Sequence, residues 1–266
     1  MSLLLPLTAL ALGLIIGSFL NVVIHRYPRA ENIVFPPSHC PHCNANIRPY
    51  DNVPVLSYLW LRGRCRACGE RIALRYPLVE LANGLFYLAI WQRTGPTLGF
   101  VAIAAIVSMI LVLIYIDLDI QILPDVIDLP GLAIGLAIGA THMGALHPDL
   151  LLSSTLLESV AGAAAGAGVL LVIGLTYKLV RKIEGMGLGD VKMMAMLGAV
   201  LGWEAVMPIL ILASTTGAIT GGLLAIRHKD AMQMALPFGV FLGIAALAML
   251  FFGRPLLALV LPWMLM

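Results

Sequence analysis

The chain has 266 residues, 61% of them hydrophobic and 11% charged, with a mean hydropathy of +0.98. Soluble domains do not carry that balance, and a formal charge of +2 without a long run of one sign offers nucleic acid nothing to hold. What survives is an all-α polytopic membrane protein with no nucleic-acid partner.

A hydrocarbon core about 30 Å thick takes roughly 20 mostly apolar residues per helix. Eight such stretches follow one another near residues 3–24, 78–93, 97–116, 126–141, 155–177, 189–204, 207–226 and 236–252. The first has no basic residues ahead of it and carries Arg26 behind it, so it reads as a retained helix rather than a signal peptide. The tail from Pro255 to Met266 is too short to span. Of the sixteen Lys and Arg residues, fourteen fall in alternate connections and only Arg93 and Arg254 in the others. The positive-inside rule then places residues 25–77 in the cytoplasm and both termini outside. The chain divides accordingly into a first transmembrane helix (1–24), a cytoplasmic module (25–77) and a membrane core (78–266).

The module holds all four cysteines, as Cys40-Pro-His-Cys43 and Cys65-Arg-Ala-Cys68. Each C-x-x-C turn aims two thiolates at one point, and two turns complete the tetrahedral sulfur set that zinc favours. A cytoplasmic compartment argues against the alternative of two disulfides. A small zinc-ribbon-like module with structural zinc is therefore expected. His39 and His42 adjoin the first pair and are left out of the ligand set, since four thiols suffice.

The third stretch ends at Ile116 and runs into a segment with Asp117, Asp119, Asp125 and Asp128, four of the fourteen acids within twelve residues. In the stated topology Asp117 ends one helix on the cytoplasmic side and Asp190, in "GMGLGDVK" (185–192), starts another there. Two carboxylates that share a site can activate water against a peptide carbonyl, one ionised and one protonated. Asp190 alone would more simply be an ion-pair partner of Lys192 or Arg181. Helix ends suggest a division of labour, with Asp190 at a positive N-terminal end as base and Asp117 at a negative C-terminal end as acid. Asp119, Asp125 and Asp128 read as solvated loop acids. The run "KMMAML" (192–197) reads as helix packing, and His142 and His147 as solvated.

These motifs, in this order, resemble the type IV prepilin peptidases. The resemblance rests on "GSFLNVVIHRYP" (17–28), the four-cysteine module, "IDLDIQILPD" (116–125), "GMGLGDVK" and "PFG" (237–239). It implies a membrane aspartic peptidase of the bacterial inner membrane, with its active site on the cytoplasmic side. Such an enzyme removes leaders from type IV prepilins or type II secretion pseudopilins and N-methylates the new N-terminus with S-adenosylmethionine. Carried onto this sequence, the catalytic acids are Asp117 and Asp190, and the module cysteines are Cys40, Cys43, Cys65 and Cys68. Ile120 and Leu188 stand where the family often has histidine and an aromatic. No strand with G-x-G-x-x-G follows, so a Rossmann-type site for the methyl donor is not expected; Asn21, Arg26, Glu70 and Glu80 flank the module as candidate contacts. The competing reading is an ion- or proton-coupled transporter with a regulatory zinc module, which would carry its acids near the membrane midplane.

Overall fold

The computed structural model describes residues 4–182, 186–227 and 236–260, all-helical with no strand among them. Gly185, the first residue of "GMGLGDVK", and Lys229 lie outside these. The helices are α1 (Leu4–Arg26), α2 (Leu56–Trp60), α3 (Arg75–Thr94), α4 (Leu98–Ile120), α5 (Asp125–Ala140), α6 (Met143–Leu146), α7 (Leu156–Arg181), α8 (Leu188–Leu201), α9 (Val206–Arg227) and α10 (Phe238–Val260). Among the described residues, four helical segments are long and apolar enough to cross a membrane: Leu4–Arg29, Leu98–Ile120, Leu156–Arg181 and Trp203–Ile226. The chain is a membrane protein by that measure. It forms two compact units, Met1–Val112 and Leu113–Met266, whose boundary falls inside α4.

In the first unit α1 and α3 run antiparallel in close contact. A Cβ on Gly13 would stand 2.7 Å from Tyr87 Cβ, and one on Gly17 would stand 2.7 Å from Glu80 Cα. Small residues at this four-residue spacing let two backbones approach where side chains would hold them apart. The approach is fixed by polar groups. Asn83 Nδ2 donates to Gly13 O (2.7 Å), Ser108 Oγ donates to Asn83 Oδ1 (2.9 Å), and Tyr87 OH lies 3.2 Å from Ser108 Oγ. Such bonds contribute about 1 kcal/mol each in a membrane, where the broken partner finds no water.

The second unit is built around α8, whose residues from Met193 to Leu201 are nearly all inaccessible; Met193, Met194 and Met196 have no exposed surface. The methionine run is packing, as its sequence suggests. Helix α7 crosses α8 where Gly162 and Gly198 face each other so closely that a Cβ on either would collide with the other's carbonyl. The chain after α6 folds back onto this core. Ser153 Oγ donates to the carbonyls of Ala199 (2.6 Å) and Val200 (3.0 Å), satisfying acceptors that the last turn of α8 leaves free. Thr155 caps α7 by accepting from Glu158 N–H, and Glu158 returns a bond to Ser154 N–H. His147, expected to be solvated, is buried. Helix α10 runs past the expected end near 252, with a kink at Phe252 (φ −127°, ψ 22°); Pro255 has no N–H for the carbonyl four residues back.

Candidate active site

Helix α4 continues four residues beyond Ile116, so Asp117 and Asp119 lie inside its last turn rather than in a loop. Asp117 is 4% exposed, and its Oδ2 accepts the N–H of Val240 at 3.0 Å. Val240 is the third residue of α10, where N–H groups have no partner within the helix. Gly239 makes the approach possible, since a Cβ there would stand 2.9 Å from that same oxygen. Asp117 thus ends one helix and caps the start of another. The asymmetry inferred from helix ends disappears with it: both acids sit at a positive N-terminal end, Asp117 at α10 and Asp190 in the first turn of α8.

Asp117 and Asp190 line one cavity of about 790 Å³ in the second unit. Gln121, Leu123, Met186 and Phe238 are among its walls. Lys192 does not pair with Asp190. Its Nζ lies 2.7 Å from both oxygens of Asp125, pinning the start of α5 to the start of α8. Asp128 departs furthest from the reading as a solvated acid: it is 1% exposed, and neither carboxyl oxygen has a hydrogen-bond partner. It belongs to the buried face of α5 with Gly131, Gly135 and Ile138, at helical spacing inside the expected stretch 126–141.

In the first unit the two cysteine turns repeat one backbone design. Asn44 N–H bonds Cys40 O and Gly69 N–H bonds Cys65 O, both at 2.9 Å, with Asn44 (φ 55°) and Gly69 (φ 74°) in the left-handed region that these residue types tolerate. The four Sγ atoms lie within 4.8 Å of one another, Cys40 and Cys68 at 3.9 Å and Cys43 and Cys65 at 4.0 Å. These spacings are far from a disulfide bond. They approach the roughly 3.8 Å edge of a tetrahedron with zinc–sulfur distances near 2.3 Å. The N–H groups of Cys68 and Ala67 hold the Cys65 thiol down at about 7. Cys68 receives the N–H of Glu70, yet desolvation and the neighbouring sulfurs push it up to about 12. Four sulfurs this close resist sharing negative charge, and a metal cation relieves that.

Asn21, Arg26, Glu70 and Glu80 line a second cavity, of about 1120 Å³, beside the cysteines. Arg26 is 7% exposed and donates to the carbonyls of Asn32 (3.1 Å) and Pro37 (3.5 Å), so it ties down the module's first loop.

A family profile described as the bacterial peptidase A24 N-terminal domain matches residues 11–94, and one described as the type IV leader peptidase family matches residues 103–222. A protein from Burkholderia pseudomallei (strain 1026b) is 39% identical over 272 residues, covering 93% of this chain and 85% of its own. The chain belongs to the type IV leader peptidase family. Relatives from Aeromonas hydrophila (39% identical, 91% of this chain and 88% of theirs) and Pseudomonas putida (38%, 94% and 91%) show the same breadth. All three are named prepilin leader peptidase/N-methyltransferase. No solved structure matches the chain. Membership covers both units: the N-terminal match contains the cysteine module and the second contains Asp117 and Asp190.

Proposed function

We propose that this enzyme cleaves the leader from type IV prepilins or type II secretion pseudopilins with Asp117 and Asp190, and N-methylates the new N-terminus. The observation that carries the peptidase assignment is the pair of acids on one cavity, with Asp117 oriented by the first turn of α10. One carboxylate takes a proton from water as it attacks the scissile carbonyl, while the partner, protonated, donates to the carbonyl oxygen. Because the pair titrates together, the base is not assigned to either residue.

The excess of Lys and Arg in alternate connections supports an eight-span arrangement in the inner membrane. The module and both acids then face the cytoplasm, where a prepilin presents its basic leader. The sulfur geometry supports zinc held by Cys40, Cys43, Cys65 and Cys68 as a structural ion. The cavity beside it suits S-adenosylmethionine. Glu70 and Glu80 offer acceptors to a cationic sulfonium and amine, and apolar walls suit an adenine ring. That cofactor, when bound, supplies an electrophilic methyl group; the chain's part is to hold the new N-terminal amine beside it.

The test is mass spectrometry of a prepilin incubated with purified enzyme and S-adenosylmethionine, which reads leader loss and methyl gain separately. Asp117→Asn and Asp190→Asn should each abolish leader loss while still methylating a peptide supplied without its leader. Undiminished cleavage by either variant overturns the assignment.

A further inference from the structure

Helix α2 is five residues long, and its two faces differ. Ser57 is buried and donates to Tyr50 O (3.1 Å), and the Tyr58 ring covers Gly63. On the other face Leu56, Leu59 and Trp60, at helical spacing, are 65%, 66% and 82% exposed. Water is a poor environment for such a cluster.

The position of α2 along the membrane helices says what else could cover it. Val55 N–H, at its start, donates to Glu80 Oε2 at 2.7 Å. Glu80 lies against Gly17, nine residues before the end of α1 and well inside the apolar segment Leu4–Arg29. Nine helical residues rise about 13 Å, whereas a glutamate side chain and one hydrogen bond together reach less than about 8 Å. The start of α2 is therefore set below the last turn of α1, at the depth of the headgroup layer or deeper. The backbone there is held in an unusual turn. Val55 has φ 59° and ψ −47°, with Leu56 N–H on Pro54 O at 2.6 Å, a γ-turn of the positive-φ kind that a β-branched residue rarely adopts. Glu80 restrains it.

We propose that α2 is an interfacial helix that seats the cysteine module on a bilayer containing acidic lipids. Leu56, Leu59 and Trp60 lie among the upper acyl segments, and the exposed Arg62 and Arg64 that follow lie at the phosphates. Two observations favour lipid over protein as the occupant. The start of α2 is tied to Glu80, which sits on α3 between the exposed Leu78 and Leu81. An aromatic–leucine face followed by arginines is also the composition that partitions to membrane interfaces.

The full chain in nanodiscs of phosphatidylcholine and phosphatidylglycerol provides the test. The fluorescence of Trp60 is read as the difference between the protein and its Trp60→Phe variant. Lipid brominated near the headgroup should quench that difference at least twofold more than lipid brominated deep in the chain, and aqueous iodide should quench it at least threefold less than free tryptophan. Iodide quenching equal to that of free tryptophan, with no effect of bromine, would place the face in water and overturn the proposal. Protection from both quenchers would overturn it in favour of a covering protein, a second copy or the substrate's apolar helix. Replacing phosphatidylglycerol by phosphatidylcholine, or Arg62 and Arg64 by glutamine, should raise iodide access to Trp60; no change in either arm removes the arginines from the proposal.

Discussion

Replacing Gly239 by alanine tests how the peptidase site is assembled. The new Cβ would stand 2.9 Å from Asp117 Oδ2 and 3.1 Å from both Asp117 Cγ and Leu123 Cδ1. Carbon and oxygen in ordinary contact keep a few tenths of an ångström more, so the carboxyl group or the first turn of α10 must give way. The 3.0 Å bond from Val240 N–H then lengthens toward the limit of a useful hydrogen bond. Losing a bond to a carboxyl group costs about 1–3 kcal/mol, and at 1.36 kcal/mol per decade this predicts a fall in leader cleavage of roughly 5- to 160-fold. Methylation of a peptide supplied without its leader should be unchanged. The control is Gly187→Ala, whose Cβ would lie 3.9 Å from Asp190 Oδ2 with room to spare. It should cleave at nearly the normal rate, its main penalty being about 1 kcal/mol of helix capping at the start of α8, felt in stability. Release of the leader by purified protein in detergent is the assay, with thermal unfolding as the check on folding. Normal turnover in a folded Gly239→Ala protein would refute the role given to the Asp117–Val240 contact.

Freshly purified protein should contain one zinc per chain by elemental analysis. Cys40→Ser with Cys65→Ser should lose it and expose residues 27–74 to protease, because the module has little apolar core of its own. Asp128→Asn should leave the salt dependence of the Michaelis constant untouched, since a side chain 1% exposed cannot attract a basic leader from solution; a weakened dependence would return Asp128 to the surface. Arg66 donates to both oxygens of Asp51 and holds its carboxyl below the usual range. Asp51's contribution to stability is then complete above the ordinary aspartate value near 3.9 and is lost as pH falls through the lower folded value. At matched zinc content, protease resistance of the module should fall in that acid window, and Asp51→Asn should show no such step.

The helices were legible because the apolar runs are continuous, and all eight stretches coincide with a helix to within a few residues at most ends, although among the described residues only four helical segments are long and apolar enough to cross a membrane. The cysteine cluster was legible because two C-x-x-C turns determine their own geometry. Errors gathered where polar residues continue a helix. Asp117 and Asp119 look like loop residues until α4 is seen to carry them, and Asp128 looks solvated until it is placed on a face with Gly131 and Gly135. The contact that orients Asp117 joins residues 123 positions apart, and no local pattern announces it. The tie between Val55 and Glu80 was equally invisible, since neither residue type signals it.

The buried chain of Gly13, Asn83, Ser108 and Tyr87 bears on how the protein is made. Helix α3 carries Glu80 and Asn83 and is not among the four segments apolar enough to cross a membrane unaided. As α3 leaves the ribosome, α1 is already in place with Gly13 O open to Asn83, whereas Ser108 is still to be synthesised. Half of the amide's bonding can therefore be satisfied at once and the other half only after α4 arrives. In the eight-span arrangement proposed above, lateral release of α3 into lipid is thereby coupled to both neighbours.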